Sequence, residues 1–174
     1  MTYVWIEIVL LGKLDEGPAH GYELRKAIER ATGMTLSNNS LYPALRRFVE
    51  AGAVTRSTEE QEAKPARNVY TLAEVGRELL LDMLTDFPAD LARTDAEFYT
   101  RLANFSRLTP EQRRQVLAVR DEALAAERNR LGGLISAQVD SWNRALLDRI
   151  CSQLDDERAW LAELGDRIVE EDCR

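Results

Sequence analysis

The sequence predicts a mostly α-helical chain with a single β hairpin in its N-terminal half, and three observations carry that fold class. Apolar residues recur at helical spacing through most of the 174 residues. Two short alternating stretches, AVTRS (53–57) and RNVYTL (67–72), are the strand candidates, joined by the polar loop TEEQEAKPA (58–66). From Glu74 onward every periodic stretch is helical. Helices followed by a hairpin describe a winged helix-turn-helix with a two-stranded β wing. The expected organisation is therefore a winged domain over 1–86 and an all-α C-terminal domain over 87–174.

Between Tyr3 and Leu11 only Glu7 is polar, so the first helix is apolar nearly all round and must be buried on more than one side. Gly17-Pro18 is a turn signal. A second helix from about His20 to Ala31 buries Leu24, Ala27, Ile28 and Ala31, and Gly33 ends it. In SNNSLYPALRRFVEAG (37–52), Leu41, Leu45, Phe48 and Val49 share one helical face, yet Pro43 lacks an N–H and would clash mid-helix. That helix must begin within a few residues of Pro43, with Ser37, Asn38, Asn39 and Ser40 all competent N-caps and Gly52 as the stop.

After the hairpin, one helix runs from Glu74 to about Phe87, where Pro88 interrupts it, and another covers roughly Asp90–Leu108. LTPEQ (108–112) is a start signal, with Thr109 as N-cap and Pro110 at the first helical position. Leu117, Leu124 and Leu131 follow at heptad spacing, extended by Leu134 and Ile135 and weakened by Gly132-Gly133. Beyond a break near 138–143, Leu147, Ile150, Leu154, Leu161, Leu164 and Ile168 form a second seam. Two such seams predict an antiparallel hairpin completed by a second protomer, which makes these six residues the expected dimer interface.

Composition narrows the function. The net charge is −7, but residues 1–80 carry 10 Lys and Arg against 11 Asp and Glu, whereas residues 81–174 carry 13 against 19. Acidity belongs mostly to the second part, so a local basic stripe in the first is compatible with phosphate binding. No window approaches 18 consecutive apolar residues, and YVWIEIVLLG (3–12) has no basic region before it and carries Glu7, so neither a membrane span nor a signal peptide is expected. Cys151 and Cys173 read as reduced thiols of a cytoplasmic protein. His20, the only histidine, makes no metal shell with one carboxylate and two distant cysteines, and reads as a helix-start or interdomain residue. There is no nucleophile–base pair and no Gly-rich phosphate loop, so neither an enzyme nor a cofactor is expected. Trp5, Trp142 and Trp160 read as core, with an aromatic effector pocket as the alternative.

Three motifs, GPAHGYEL (17–24), SLYPALRRFVEAGAV (40–54) and KPARNVYTLAEVGRELL (64–80), strongly resemble the PadR family of transcriptional regulators. The resemblance covers the winged region; the remaining 90 or so residues resemble the longer PadR-type C-terminal domain in layout more than in residues. It implies a homodimeric DNA-binding repressor whose C-terminal helices build the dimer and whose affinity is set by a small ligand. Three features depart from the family pattern: Asn39 stands in place of a common glycine, Ala73 in place of a capping threonine, and the wing carries Glu59, Glu60 and Glu62.

With the third helix as the reading element, Asn39 and Arg46 are expected near bases, because Asn can read adenine and Arg guanine bidentately. Ser40, Tyr42 and Arg47 are expected mostly on backbone phosphate, and Lys64 and Arg67 of the wing on a flanking phosphate or minor groove. Trp5 is the expected contact of an apolar or aromatic effector, because helix 1 should lie between the winged domain and the C-terminal helices. The expected partners are double-stranded DNA bearing a two-fold symmetric operator, a second copy of the chain and a small effector, with no membrane. The alternative is a winged module that binds protein and not DNA, a reading supported by the acidic wing and the net charge.

Overall fold

The computed structural model describes residues 4–32, 38–61, 64–137 and 140–172, with side chains described for 4–30, 41–59, 67–135 and 140–172. The expectations for Gly33, Ser37 and Cys173, and for the side chains of Ala31, Asn38, Asn39, Ser40, Glu60, Glu62, Lys64 and Pro65, lie outside the described residues. The chain divides into two compact units, Met1–Asp86 and Phe87–Arg174.

The first unit runs α1 (Val4–Asp15), β1 (Ala19–His20), α2 (Gly21–Thr32), α3 (Asn38–Glu50), β2 (Val54–Gln61), β3 (Lys64–Leu72) and α4 (Glu74–Thr85). As its composition requires, α1 buries Trp5, Ile6, Ile8, Leu10, Leu11 and Leu14. Its neighbours within the unit are α2, β3 and α4. α4 packs against α1 from within the same unit.

The sheet has three strands in the order β1-β3-β2, one more than expected. β1 is only two residues long, too short to show any alternation, and pairs Ala19 with Tyr70 and His20 with Val69. The hairpin is also longer than its apolar pattern suggests. Residues assigned to the loop continue the ladder through Thr58↔Asn68, Glu59↔Arg67 and, past a bulge, Gln61↔Lys64. Thr55 to Glu59 are all exposed, so this stretch needs no buried face and the backbone hydrogen-bond ladder holds it extended.

In α3 the buried side chains are Leu41, Ala44, Leu45 and Phe48, while Val49 is half-buried. Pro43 is the sixth residue of the helix, a turn deeper than a first-turn proline, so one intrahelical hydrogen bond is missing from its second turn. The stop is a Schellman motif: Gly52, with φ of +72°, donates to Val49 O at 3.1 Å, and Ala53 donates to Phe48 O at 2.9 Å.

The second unit contains α5 (Asp95–Leu102), a 3-10 turn (Phe105–Arg107), α6 (Pro110–Ala137) and α7 (Ser141–Asp172). The capping signal is realised reciprocally: Gln112 N–H donates to Thr109 Oγ1 at 3.2 Å and Thr109 N–H to Gln112 Oε1 at 2.9 Å. The helix expected over Asp90–Leu108 is broken on both sides of α5. Two α6 arginines take backbone carbonyls from this segment, Arg120 that of Ala92 at 2.7 Å and Arg113 those of Phe105 at 2.7 Å and Leu108 at 3.0 Å. Ion pairs Arg113–Glu171, Arg120–Glu157 and Arg128–Asp155 run in opposite directions along α6 and α7, so the two helices form an antiparallel hairpin. Arg101 and Arg120 are fully buried, stacked on Phe87 at 4.4 Å and Phe98 at 5.2 Å, and Trp160 meets Phe98 edge-on.

Candidate nucleic-acid interface

Burying Leu41, Leu45 and Phe48 turns the opposite face of α3 outward, and there Tyr42 is 45% exposed and Arg46 is exposed. Between this face and the sheet lies a groove lined by Tyr42, Arg46, Glu50, Arg56, Asn68 and Tyr70. Arg56 reaches it from β2, directly opposite Tyr70 in the β2–β3 register. No sequence signal marks Arg56, because its place beside α3 follows from strand register alone. Burial raises the Tyr70 phenol above its ordinary range; Tyr42 adds to that shift and the Arg56 guanidinium opposes it. The hydroxyl therefore stays protonated and remains a hydrogen-bond donor at neutral pH.

A second concavity joins the first at Tyr42 and is lined by His20, Gly21, Tyr22, Tyr42, Arg67 and Asn68, with Glu23 at its rim. Gly21 makes the junction possible: a Cβ there would stand 3.1 Å from the Tyr42 ring. Beyond it, Tyr22, Lys26 and Arg30 fall at i, i+4 and i+8 of α2 and are all exposed, with the Lys26 ammonium 4.7 Å from the Tyr22 ring centroid. Among the described residues, Arg46, Arg56, Arg67, Lys26 and Arg30 have no carboxylate partner within ion-pair distance. Five cations on one unit are thus free to meet an anion.

The expected site is only partly assembled. Tyr42, Arg46 and Arg67 line the two concavities together. Arg47 does not join them: it is ion-paired with Glu7 of α1, whose side chain is only 14% exposed. Trp5 is 3% exposed and lies among the buried side chains of α1. Within the second unit, Leu161 and Ile168 are buried in the chain's own hairpin, whereas Leu147, Ile150, Leu154 and Leu164 are half-buried. Trp142, read as core, is 83% exposed. Among the described residues no three His, Cys, Asp or Glu side chains gather as a metal site, and no helix is long and apolar enough to cross a membrane.

Residues 10–82 match the model of the transcriptional regulator PadR-like family. An uncharacterized 37.1 kDa protein in transposon TN4556 of Streptomyces fradiae is 40% identical over 74 residues, which are 42% of this chain and 20% of that protein. The negative transcriptional regulator PadR of Bacillus subtilis (strain 168) is 28% identical over 81 residues, 45% of this chain and 44% of that protein. The chain therefore spans less than half the length of either curated relative. Among solved structures, Bacillus subtilis PadR in complex with operator DNA matches at 20% identity and a TM-score of 0.45, over 93% of this chain and 98% of that one. A transcriptional regulator from Clostridium thermocellum matches at 23% identity and a TM-score of 0.42, over 45% of this chain and 78% of that one. Residues 10–82 thus form a domain of the PadR-like family of transcriptional regulators.

Proposed function

We propose that this chain binds double-stranded DNA as a homodimeric transcriptional repressor on a two-fold symmetric operator. The observation that carries the reading is the groove between α3 and the sheet, where Arg46 and Arg56 stand without carboxylate partners beside Tyr42, Asn68 and Tyr70. Arg46 is the side chain suited to bidentate guanine readout, and Asn68 can pair with adenine. Arg56, Arg67 and the α2 stripe of Tyr22, Lys26 and Arg30 are suited to phosphate, which holds the protein in register on the duplex. Repression follows from occupancy of the operator, and a small apolar or aromatic effector beside Trp5 would regulate it. The exposed end of the α6–α7 hairpin, with Leu134, Trp142 and Leu146, is our candidate for the contact between protomers.

Selection of bound duplexes from a random pool, followed by salt titration of the selected duplex, tests the reading. A two-fold symmetric sequence is expected, with log K falling linearly against log salt by about 0.9 for each phosphate contact. Absence of binding even to random duplex at low salt would sink it and favour the protein-binding alternative.

A further inference from the structure

The DNA reading leaves His20 unused, and its surroundings give it a specific role. Its Nδ1 lies 3.3 Å from the carbonyl oxygen of Asn68 on β3. A carbonyl only accepts, so Nδ1 carries the hydrogen and donates, which fixes the tautomer. The nitrogen left to take up a proton is Nε2, and it faces the Glu59 carboxylate of β2 at 4.0 Å. A neutral ring presents a lone pair to that carboxylate, whereas a protonated ring pairs with it. The groups around the ring are Glu59 on β2, Glu23 and Tyr22 on α2, Tyr42 on α3, and Arg67 and Tyr70 on β3. Glu23 already accepts the His20 backbone N–H at 2.8 Å, which leaves Glu59 as the partner for the ring. Glu59 in turn stands directly opposite Arg67 in the hairpin ladder.

We propose that His20 and Glu59 form a proton-operated latch that ties β1 to the wing and neutralises a wing carboxylate beside the DNA-facing concavity. Protonation adds one positive charge there and occupies Glu59. Both effects favour a polyanion, so by linkage DNA affinity rises as pH falls from 8 to 5.5, the range in which imidazole changes charge. The latch rests on the DNA reading for its consequence but not for its chemistry. His20 is the only imidazole of the sequence, so its titration can be followed without assignment of other histidines.

The experiment has two arms, run on chain free of added histidines. In the first, proton NMR follows the single imidazole through pH without DNA, in the native chain and in Glu59→Gln. A midpoint that falls in Glu59→Gln supports the latch, and an unmoved midpoint overturns it. In the second arm, affinity for a mixed-sequence 40-bp duplex is measured at pH 8.0 and 5.5 at constant ionic strength. The native chain should tighten several-fold, and His20→Gln, which cannot charge, should lose that gain. Equal pH dependence in both proteins overturns the regulatory role. A latch seen in the first arm with no duplex binding at either pH would overturn the DNA reading instead.

Discussion

Arg46 and Arg47 are adjacent in sequence and lie on different sides of α3, which makes them a matched pair for testing the interface. Arg46 faces the groove, whereas Arg47 pairs with Glu7 of α1. Arg46→Ala should weaken DNA binding and flatten the plot of log K against log salt by up to about 2 in a dimer, one contact per protomer. Arg56→Ala should do the same. Arg47→Ala should leave the slope unchanged and lower stability only slightly, by about 1 kcal/mol or less, because its side chain is 49% exposed. A slope that flattens as much for Arg47→Ala as for Arg46→Ala would return Arg47 to the DNA. Gly21 offers a complementary test through the Tyr42 ring. The ring must give by a few tenths of an ångström to admit a Cβ at 3.1 Å, so Gly21→Ala should move Tyr42 and weaken binding without unfolding the chain. Circular dichroism melts beside the binding curves separate the two effects.

Among the elements, α4 shows how close approach dictates a residue. A Cβ on Gly76 would stand 2.2 Å from the carbonyl oxygen of Ala53 and 2.5 Å from Leu72 Cδ1, and the oxygen belongs to backbone. Gly76→Ala should therefore destabilise the chain by about 1–3 kcal/mol despite the better helix propensity of alanine, a shift readable in the urea midpoint. An equally stable variant would mean that α4 can withdraw from the sheet at no cost. The winged elements were legible because each carries a local signal: the apolar run of α1, the apolar stripe of α3 with Gly52 behind it, and the alternation that starts each hairpin strand. What was illegible depends on partners distant in sequence. β1 exists only through its pairing with β3, and Arg56 reaches the groove only through register. α5 stops short of its apparent pattern because α6 arginines hold the carbonyls on either side of it. The same cause makes Arg120 a test of the second unit. Its side chain is 1% exposed and pairs with Asp95 at 2.7 Å and Glu157 at 2.6 Å. Removing one partner of a buried pair costs about 3–5 kcal/mol, and Asp95 and Glu157 keep some solvent, so Arg120→Ala should fall near the low end.

For the whole molecule, the proposed homodimer needs a surface on which two copies meet, and the α6–α7 hairpin offers candidates. Leu161 and Ile168 are unsuitable, since both are already buried in the unit. Ser141 to Leu146 are exposed throughout, and within them Trp142 and Leu146 lie one turn apart at 83% and 58% exposure. Leu134, 47% exposed near the end of α6, stands at the same end of the antiparallel hairpin. Large apolar side chains gathered at one end of a helical hairpin mark an interaction surface more often than isolated ones do. Leu146→Asp should dissociate the dimer, because a carboxylate driven into an apolar contact costs several kcal/mol, and it should leave the thermal melt of the protomer nearly unchanged. Leu161→Asp should instead unfold the second unit. Light scattering at micromolar protein distinguishes the two. DNA binding supplies an independent readout: two half-sites about 34 Å apart are held together only by a dimer, so dissociation should halve the salt slope on the selected operator. A Leu146→Asp chain that remains dimeric, with its full slope intact, would move the protomer contact away from this end of the hairpin and onto its half-buried seam at Leu147, Ile150, Leu154 and Leu164.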